Sequence, residues 1–176
     1  MRTTFNFDWI DERLAVGGSF PMEAAEQLAR REAIGAVVDL RIERCDDEAV
    51  LRISGLEFLH LPTEDCCAIA PRMIDDGVAW VRGHMDAGRR VLIHCEHGIG
   101  RSALLALCTL VAGGVQPLDA MNRLKTARPV VSPAPEQLES FRSWVTGWRK
   151  RTGARLEVPS LDALAWVAYA HLRTAG

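Results

Sequence analysis

One segment of the chain places a cysteine, two glycines and an arginine at a spacing that suits phosphate chemistry. Cys95 follows an apolar run, residues 91–93, that is typical of a buried strand, and Arg101 precedes an apolar run, residues 103–107, that is typical of a buried helix. The loop amides between them and the amino end of the helix would converge on one bound anion. The segment consists of His94, Cys95, Glu96, His97, Gly98, Ile99, Gly100, Arg101 and Ser102.

The same arrangement favours an ionised, reactive cysteine. Arg101 and the positive end of the helix dipole stabilise a thiolate, so they predict a lowered pKa for Cys95. The planar guanidinium of Arg101 can hold two phosphoryl oxygens at once, and the amides of residues 96–101 can donate to the others. We therefore expect hydrolysis of a phosphate ester through a phosphocysteine intermediate. Ser102 could donate a hydrogen bond to the sulfur when that intermediate breaks down, whereas His94 is expected to support the loop.

A second group of residues could supply the proton that the leaving oxygen needs. Glu64 and Asp65 follow a predicted strand, residues 57–61, and either carboxyl group could act as a general acid. Composition alone does not show which of these two residues is the acid. Since the thiol must be ionised and the acid protonated, this chemistry predicts a bell-shaped dependence of rate on pH with a mildly acidic optimum.

The pattern His-Cys-x-x-Gly-x-x-Arg-Ser resembles the signature of the cysteine-dependent protein phosphatases, and it is most similar to their dual-specificity branch. The resemblance extends over about residues 8–148 and includes residues 14–18, 38–41 and 127–129. Members of this branch carry an aliphatic residue, a proline, two further residues and then an aspartate before the signature. The resemblance therefore implies that Asp65 is the general acid.

The resemblance and the alternation of apolar patterns agree on an α/β fold. We expect a compact dual-specificity phosphatase-like domain, with a central, mostly parallel sheet of about five strands flanked by helices. The phosphatase domain is expected to span residues 1–152, with a C-terminal helical extension over residues 153–176. The predicted strands cover residues 13–16, 36–40, 57–61 and 90–94, and helices are predicted to begin at Pro21, Cys45, Pro71, Arg101, Pro117, Ser132 and Ser160.

The preferred substrate is a phosphoprotein carrying phosphotyrosine, with phosphoserine and phosphothreonine as further candidates. The loop has no lysine, which disfavours inositol head groups with several phosphates and RNA 5′-phosphates. The alternatives are a phospholipid or phosphoinositide phosphatase that uses the same site, and a pseudophosphatase that only binds phosphate. A sulfurtransferase or an arsenate reductase would also cradle an anion, but neither needs an acid at Asp65. Phosphate and vanadate-like anions are expected to bind in the loop.

The composition narrows the remaining function classes. A chain of 176 residues with 48% hydrophobic residues and a net charge of −2 is typical of a globular domain without a nucleic-acid surface. No apolar run is long enough to cross a bilayer, and the first residues lack a signal-peptide core, so we expect a cytoplasmic protein without membrane insertion. An odd count of five cysteines argues against a disulfide scaffold. No metal or cofactor is expected.

Three features each allow two interpretations, one purely structural and one functional. Cys66 and Cys67 could be ordinary loop residues, or one of them could pair with Cys95 on oxidation. Arg128 could be solvated at the surface or could contact a second anion. The helix predicted after Ser160 could fold back on the domain or could mediate a homodimer contact.

Overall fold

A five-stranded sheet forms the centre of the molecule in the computed structural model, which describes residues 4–173. The strand order is β1-β2-β5-β3-β4. The edge strand β1 is antiparallel to β2, and all other neighbours are parallel, which confirms the predicted mostly parallel sheet. The strands are β1 (Phe7–Trp9), β2 (Leu14–Gly17), β3 (Ile34–Arg41), β4 (Glu57–Thr63) and β5 (Arg90–His94). The short strand β1 was not among the sequence predictions.

Helices cover both faces of this sheet. A short 3-10 helix, Met22–Ala24, precedes the first of them. The α-helices are α1 (Ala25–Arg31), α2 (Glu48–Ile53), α3 (Pro71–Asp86), α4 (Arg101–Ala112), α5 (Pro117–Ala127), α6 (Pro135–Thr152), α7 (Leu161–Ala168) and α8 (Ala170–Arg173). The predicted phosphatase domain begins with residues 1–3 and the predicted C-terminal extension ends with residues 174–176, and both of these ends lie outside the described residues.

Alternate residues of each strand point to opposite faces and so build two separate apolar cores. Val38 and Ile93 belong to the larger core, which is completed by α3 to α7. Their neighbours Val37 and Leu92 belong to the smaller core, which is completed by α1 and α2. Because the central strands are buried on both faces, they are nearly continuous apolar runs, as parallel strands usually are.

The helix α4 lies in the middle of the larger core and is buried along almost its whole length. It contacts α3, α5 and α6 as well as the strands β2 and β5. This environment explains why its sequence is apolar on every side instead of on one stripe. Its first residue is Arg101, so the buried helix fixes the position of that guanidinium.

The parallel strands β3, β4 and β5 end at the same edge of the sheet. Crevices beyond the carboxyl ends of parallel strands are the usual position of ligand sites in α/β folds. Cys95 follows β5, and Asp65 follows β4 by two residues. The topology therefore brings together two residues that the sequence separates.

Several predicted boundaries and one predicted orientation are wrong in detail. The cap of α6 is Ala134 and not Ser132, since Pro133 and Pro135 keep the preceding backbone extended. The helix α2 begins after Asp47 and not at Cys45. The carboxylate of Asp47 caps this helix by accepting hydrogen bonds from the amides of residues 49 and 50.

Two further details differ in the C-terminal half. The helical spacing after Pro117 predicts that Leu118 faces inward, but this residue is exposed, because the buried stripe of α5 consists of Pro117, Ala120, Met121 and Leu124. The helix predicted after Ser160 is divided at Tyr169 into α7 and α8. Within residues 4–173, no helix combines the length and the apolar character needed to cross a bilayer.

Candidate active site

Cys95 lies at the floor of a loop directly after β5 and is 3% exposed. Its Sγ is 3.4 Å from the hydroxyl of Ser102 and accepts a hydrogen bond of 3.3 Å from the amide of Gly98. Burial alone would raise the pKa of Cys95, but hydrogen bonds from Ser102 and Gly98 and the charge of Arg101 outweigh it and lower the pKa. The environment therefore stabilises a thiolate at this position.

The loop around Cys95 has the shape of an anion cradle. Gly98 has a φ of 69°, and a Cβ on it would lie 2.3 Å from the carbonyl carbon of Gly17, so only glycine fits there. In the part of the chain that the structure describes, the amides of four residues of this loop donate to no other protein group. These residues are Glu96, His97, Ile99 and Gly100. Successive unpaired amides around a buried sulfur suit a phosphoryl group.

Arg101 presents one edge of its guanidinium to this cradle. The side chain is 1% exposed, and Nη1 and Nη2 each donate a 2.8 Å bond to the carboxylate of Glu43, while Nη1 also donates to the carbonyl of Thr63. The buried Nε has no hydrogen-bond partner within residues 4–173, although Oδ1 of Asp65 lies 3.4 Å away in poor alignment. The Nε–Nη2 edge is thus left to hold two oxygens of an anion.

Glu43 was not predicted from the sequence. Its hydrogen bonds to Arg101 are the main cause that lowers the pKa of Glu43 to about 2, so the carboxylate stays ionised opposite the guanidinium. Nothing in the sequence near Glu43 distinguishes it from other surface acids, since its partner lies 58 residues away.

A buried group of charged residues lies beneath the loop. Arg41 donates to both oxygens of Asp39, to Asp46 at 2.7 Å and to Glu96 at 3.0 Å. The other oxygen of Asp46 lies 2.7 Å from Nε2 of His94. Asp39, Asp46 and His94 also come close enough together to suit a metal ion, but Arg41 and these three residues already bind one another.

These contacts account for His94 and Glu96, two loop residues that the sequence singled out. Burial would lower the pKa of His94, but the hydrogen bond and the charge of Asp46 outweigh it and raise the pKa. The ring therefore anchors the strand end that carries Cys95. The carboxylate of Glu96 turns away to Arg41, so it does not oppose an anion in the cradle.

Arg128 supports the loop from the opposite side, so the interpretation that it is solvated at the surface is wrong. It is 3% exposed and donates to the carbonyls of His97 and Gly98 at 2.9 and 2.8 Å. Its remaining donors reach Asp8 and Asn6. The guanidinium is buried because four acceptors of the loop and the edge strand region surround it.

Asp65 lies on a loop that faces the cradle from the end of β4. Its side chain is 66% exposed, and the next residue, Cys66, has a φ of 60°. Gln137 donates to the carbonyl of Cys67 at 3.1 Å and is buried, so it ties this loop to the start of α6. Gln137 was not predicted from the sequence either.

A cavity of about 220 Å³ opens above Cys95. The cavity brings together five residues that the sequence predicted, and Ser102 contacts Cys95 from below. Glu64 is exposed and does not line the cavity. The lining residues are Asp65, Cys66, Cys95, His97, Ile99, Gly100, Ser132, Ala134 and Gln137.

This geometry has counterparts among known proteins. The Arabidopsis thaliana phosphatidylglycerophosphate phosphatase PTPMT2 is 28% identical over 136 residues, and the Mus musculus dual specificity protein phosphatase 2 is 28% identical over 103 residues. The matches cover 74% and 52% of this chain, but only 59% and 32% of those two proteins. The chain thus spans less than two thirds of either relative.

Solved structures share the fold. Tk-PTP in its active form has a TM-score of 0.74 at 26% identity, covering 80% of this chain and 97% of that one. PTPMT1 in complex with PI(5)P has a TM-score of 0.77 at 21% identity, covering 82% and 97% of the two chains, a likeness of fold alone.

The sequence profile of one family, described as "Polymorphic toxin system, DSP-PTPase phosphatase", matches residues 16–115. The matched range includes Cys95, Arg101 and Asp65 together with strands β3, β4 and β5. Because this profile covers more than half of the chain, the protein belongs to the DSP-PTPase phosphatase family.

Proposed function

We propose that the protein hydrolyses phosphate monoesters of proteins, with Cys95 as the nucleophile and a phosphocysteine as the intermediate. The observation that carries the proposal is the open edge of Arg101, whose buried Nε has no partner in the described chain and lies in the same cradle as the Cys95 sulfur. A phosphoryl group would satisfy this donor together with the amides of residues 96–101.

In the first step, the Cys95 thiolate attacks phosphorus and the bond from phosphorus to the leaving oxygen breaks. Asp65 donates its proton to that oxygen, so the product leaves as a neutral alcohol or phenol. Its carboxyl group already lies 3.4 Å from Nε of Arg101, on the side that the phosphoryl group would occupy. The exposed position of Asp65 lets it move aside as the substrate enters.

In the second step, water attacks the phosphocysteine and gives up a proton to the Asp65 carboxylate, which is now free to accept it. The bond between sulfur and phosphorus breaks, and inorganic phosphate leaves together with the regenerated thiolate. Ser102, 3.4 Å from Sγ, assists by donating to the sulfur as negative charge returns to it.

We propose phosphotyrosine in proteins as the preferred substrate, with phosphoserine and phosphothreonine as further substrates. The cavity of about 220 Å³ lies below the usual range of about 300–1,000 Å³ for whole small ligands, which favours a single phosphorylated side chain. No lysine stands in residues 94–102 or lines the cavity, so a second phosphate would find no ammonium partner.

A phospholipid phosphatase is the second candidate, favoured by the similarity to the plant phosphatidylglycerophosphate phosphatase PTPMT2. Cys95 as nucleophile, Arg101 as phosphate-binding residue and Asp65 as acid would serve either substrate. The two candidates differ only in what surrounds the phosphate.

We further propose that residues 1–152 constitute the phosphatase domain and residues 153–176 its helical extension. The end of α6 at Gly153, which has a left-handed backbone conformation, supports this division, and the contacts of α7 with α5 and α6 support an extension that folds back on the domain. All five cysteines are unpaired, which supports the proposed cytoplasmic location.

The test compares wild type and Cys95→Ser on four substrates under one condition: an aryl phosphate, a phosphotyrosine peptide, a phosphoserine peptide and phosphatidylglycerophosphate in vesicles. We expect the phosphotyrosine peptide to give the highest kcat/KM and Cys95→Ser to release no phosphate above background. A higher kcat/KM for phosphatidylglycerophosphate would show that the preferred substrate is a phospholipid and not a phosphoprotein. Phosphate release by Cys95→Ser would overturn the assignment of the nucleophile.

A further inference from the structure

One wall of the substrate cavity is a short non-helical segment between α5 and α6. This wall segment, residues 129–134, contributes Ser132 and Ala134 to the lining of the cavity. On its inner side, the amide of Ser132 donates to the carbonyl of Ile99 at 3.0 Å, and the amide of Ala134 donates to Oε1 of Gln137 at 2.8 Å. Its inner face is thereby joined to the phosphate loop and to α6.

The outer side of the wall segment depends on donors from elsewhere in the chain. The hydroxyl of Tyr169 donates a 2.6 Å hydrogen bond to the carbonyl of Pro133, and Nζ of Lys125 donates a 2.6 Å bond to the carbonyl of Val131. Nδ1 of His171 lies 3.0 Å from the same Nζ. Two residues of the C-terminal segment therefore take part in holding the wall from behind.

The wall segment has few means of fixing its own backbone. Pro129 and Pro133 have no amide to donate. Its one short-range backbone bond runs from the amide of Val131 to the carbonyl of Arg128 at 3.0 Å. The carbonyl of Pro133 precedes Ala134 directly, so a shift at Pro133 would move a residue that lines the cavity.

The position of Tyr169 is itself well fixed. Leu164 and Ala168 are fully buried and pack α7 against α5 and α6. The amide of Tyr169 donates to the carbonyl of Ala165 at 2.9 Å. Burial raises the pKa of Tyr169, so the hydroxyl remains a neutral donor at physiological pH.

We infer that Tyr169 is a positioning residue of this phosphatase, which sets the distance between the wall segment and the phosphate loop and so shapes the part of the cavity that receives the organic group of the substrate. The C-terminal helices thus complete the substrate pocket although they lie outside residues 16–115, the range of the family match. The phosphate cradle has its own support besides the wall, because Arg128 holds the carbonyls of His97 and Gly98.

The inference rests on the proposed active site and is tested with Tyr169→Phe, which keeps the ring and removes only the hydroxyl. Loss of one hydrogen bond predicts a rise of about 2- to 10-fold in KM for an aryl phosphate. We expect kcat to change less than KM and the inhibition constant of inorganic phosphate to stay at the wild-type value, because phosphate contacts the cradle alone.

The matched control is Thr146→Val, which removes a hydroxyl that bonds to the carbonyl of Arg142 within α6. This control should leave KM and the inhibition constant unchanged. An unchanged KM in Tyr169→Phe would overturn the positioning role, and an equal rise in KM and in the inhibition constant would show a general loss of structure instead. Failure of the wild type to hydrolyse the aryl phosphate would refute the proposed function and not this inference.

Discussion

The two loops that face each other across the cavity are built in opposite ways. The nucleophile loop, residues 94–102, encloses its reactive groups, with Cys95 3% and Arg101 1% exposed. The acid loop, residues 64–68, exposes its reactive group, since the side chain of Asp65 is 66% exposed. The proposed site therefore combines a preformed, buried loop for the phosphate with a proposed acid on the surface.

The difference has a cause in the contacts of each loop. Arg41, Asp46 and Arg128 hold the nucleophile loop through buried, charge-assisted hydrogen bonds. The acid loop is tied to α6 by two bonds, from Gln137 to the carbonyl of Cys67 and from the amide of Ala68 to Glu136. Changes under the nucleophile loop should therefore affect stability, whereas changes in the acid loop should affect the rate alone.

The largest expected effect on the rate comes from Asp65→Asn. Loss of the proposed general acid should lower kcat for a phosphotyrosine peptide by about 10²- to 10⁴-fold. The thermal midpoint should stay close to that of the wild type, because the exposed side chain contributes little to the fold. Steady-state kinetics and thermal unfolding of the same preparation measure both quantities.

The control for that change is Glu64→Gln, which neutralises the neighbouring carboxylate outside the cavity. It should leave kcat within a few-fold of wild type, as exposed substitutions usually do. A larger loss in Glu64→Gln than in Asp65→Asn would reverse the assignment of the acid.

The next effect is on stability and concerns the base of the nucleophile loop. Asp46→Asn removes the carboxylate that binds Nε2 of His94 and one of the three carboxylates that bind Arg41 in a buried site. Breaking such a group should lower the free energy of unfolding by about 3–5 kcal/mol. Urea denaturation followed by tryptophan fluorescence would measure it.

The adjacent Asp47 provides a matched control. It caps α2 from an exposed position, and asparagine is an equally good cap, so Asp47→Asn should be nearly neutral. Equal unfolding midpoints for the two variants would contradict the view that the nucleophile loop depends on buried charge.

The smallest effect concerns the pH dependence of the rate. Ser102 lowers the pKa of Cys95, so Ser102→Ala should raise that pKa and reduce the thiolate fraction on the acidic side. The acidic limb of kcat/KM should therefore move to higher pH, because a hydrogen bond to the charged sulfur is lost. In the same helix, Thr109→Val removes a hydroxyl that bonds to the carbonyl of Leu105 and should leave the limb in place. An unchanged acidic limb of kcat/KM in Ser102→Ala would show that Ser102 does not stabilise the thiolate of Cys95.

The comparison of the loops also explains how much could be predicted from the sequence. The nucleophile loop was recognisable because Cys95 and Arg101 lie six positions apart between two strongly apolar runs. Asp65 could be predicted as the acid only with the help of the family resemblance, because Glu64 offers the same chemistry. The main strands were predicted within a few residues, since buried parallel strands give continuous apolar runs.

The supporting residues could not be predicted, because their partners are distant in the chain. Glu43 and Arg101 are 58 residues apart, and Arg128 reaches Asp8 over 120 residues. Charged residues are usually solvated, and only the fold shows that the two arginines are buried and paired with these carboxylates. The strand β1 was missed for a related reason, since three residues give too short a pattern to detect.

The most direct test of the central claim is a search for the covalent intermediate. The Asp65→Asn variant is mixed rapidly with an aryl phosphate that has a good leaving group, and the reaction is quenched in acid and analysed by peptide mass spectrometry. We predict a burst of about one phenol per enzyme molecule, with the phosphate on the peptide that contains Cys95. A burst with the phosphate on another residue, or turnover with no phosphorylated peptide and no burst, would contradict the account.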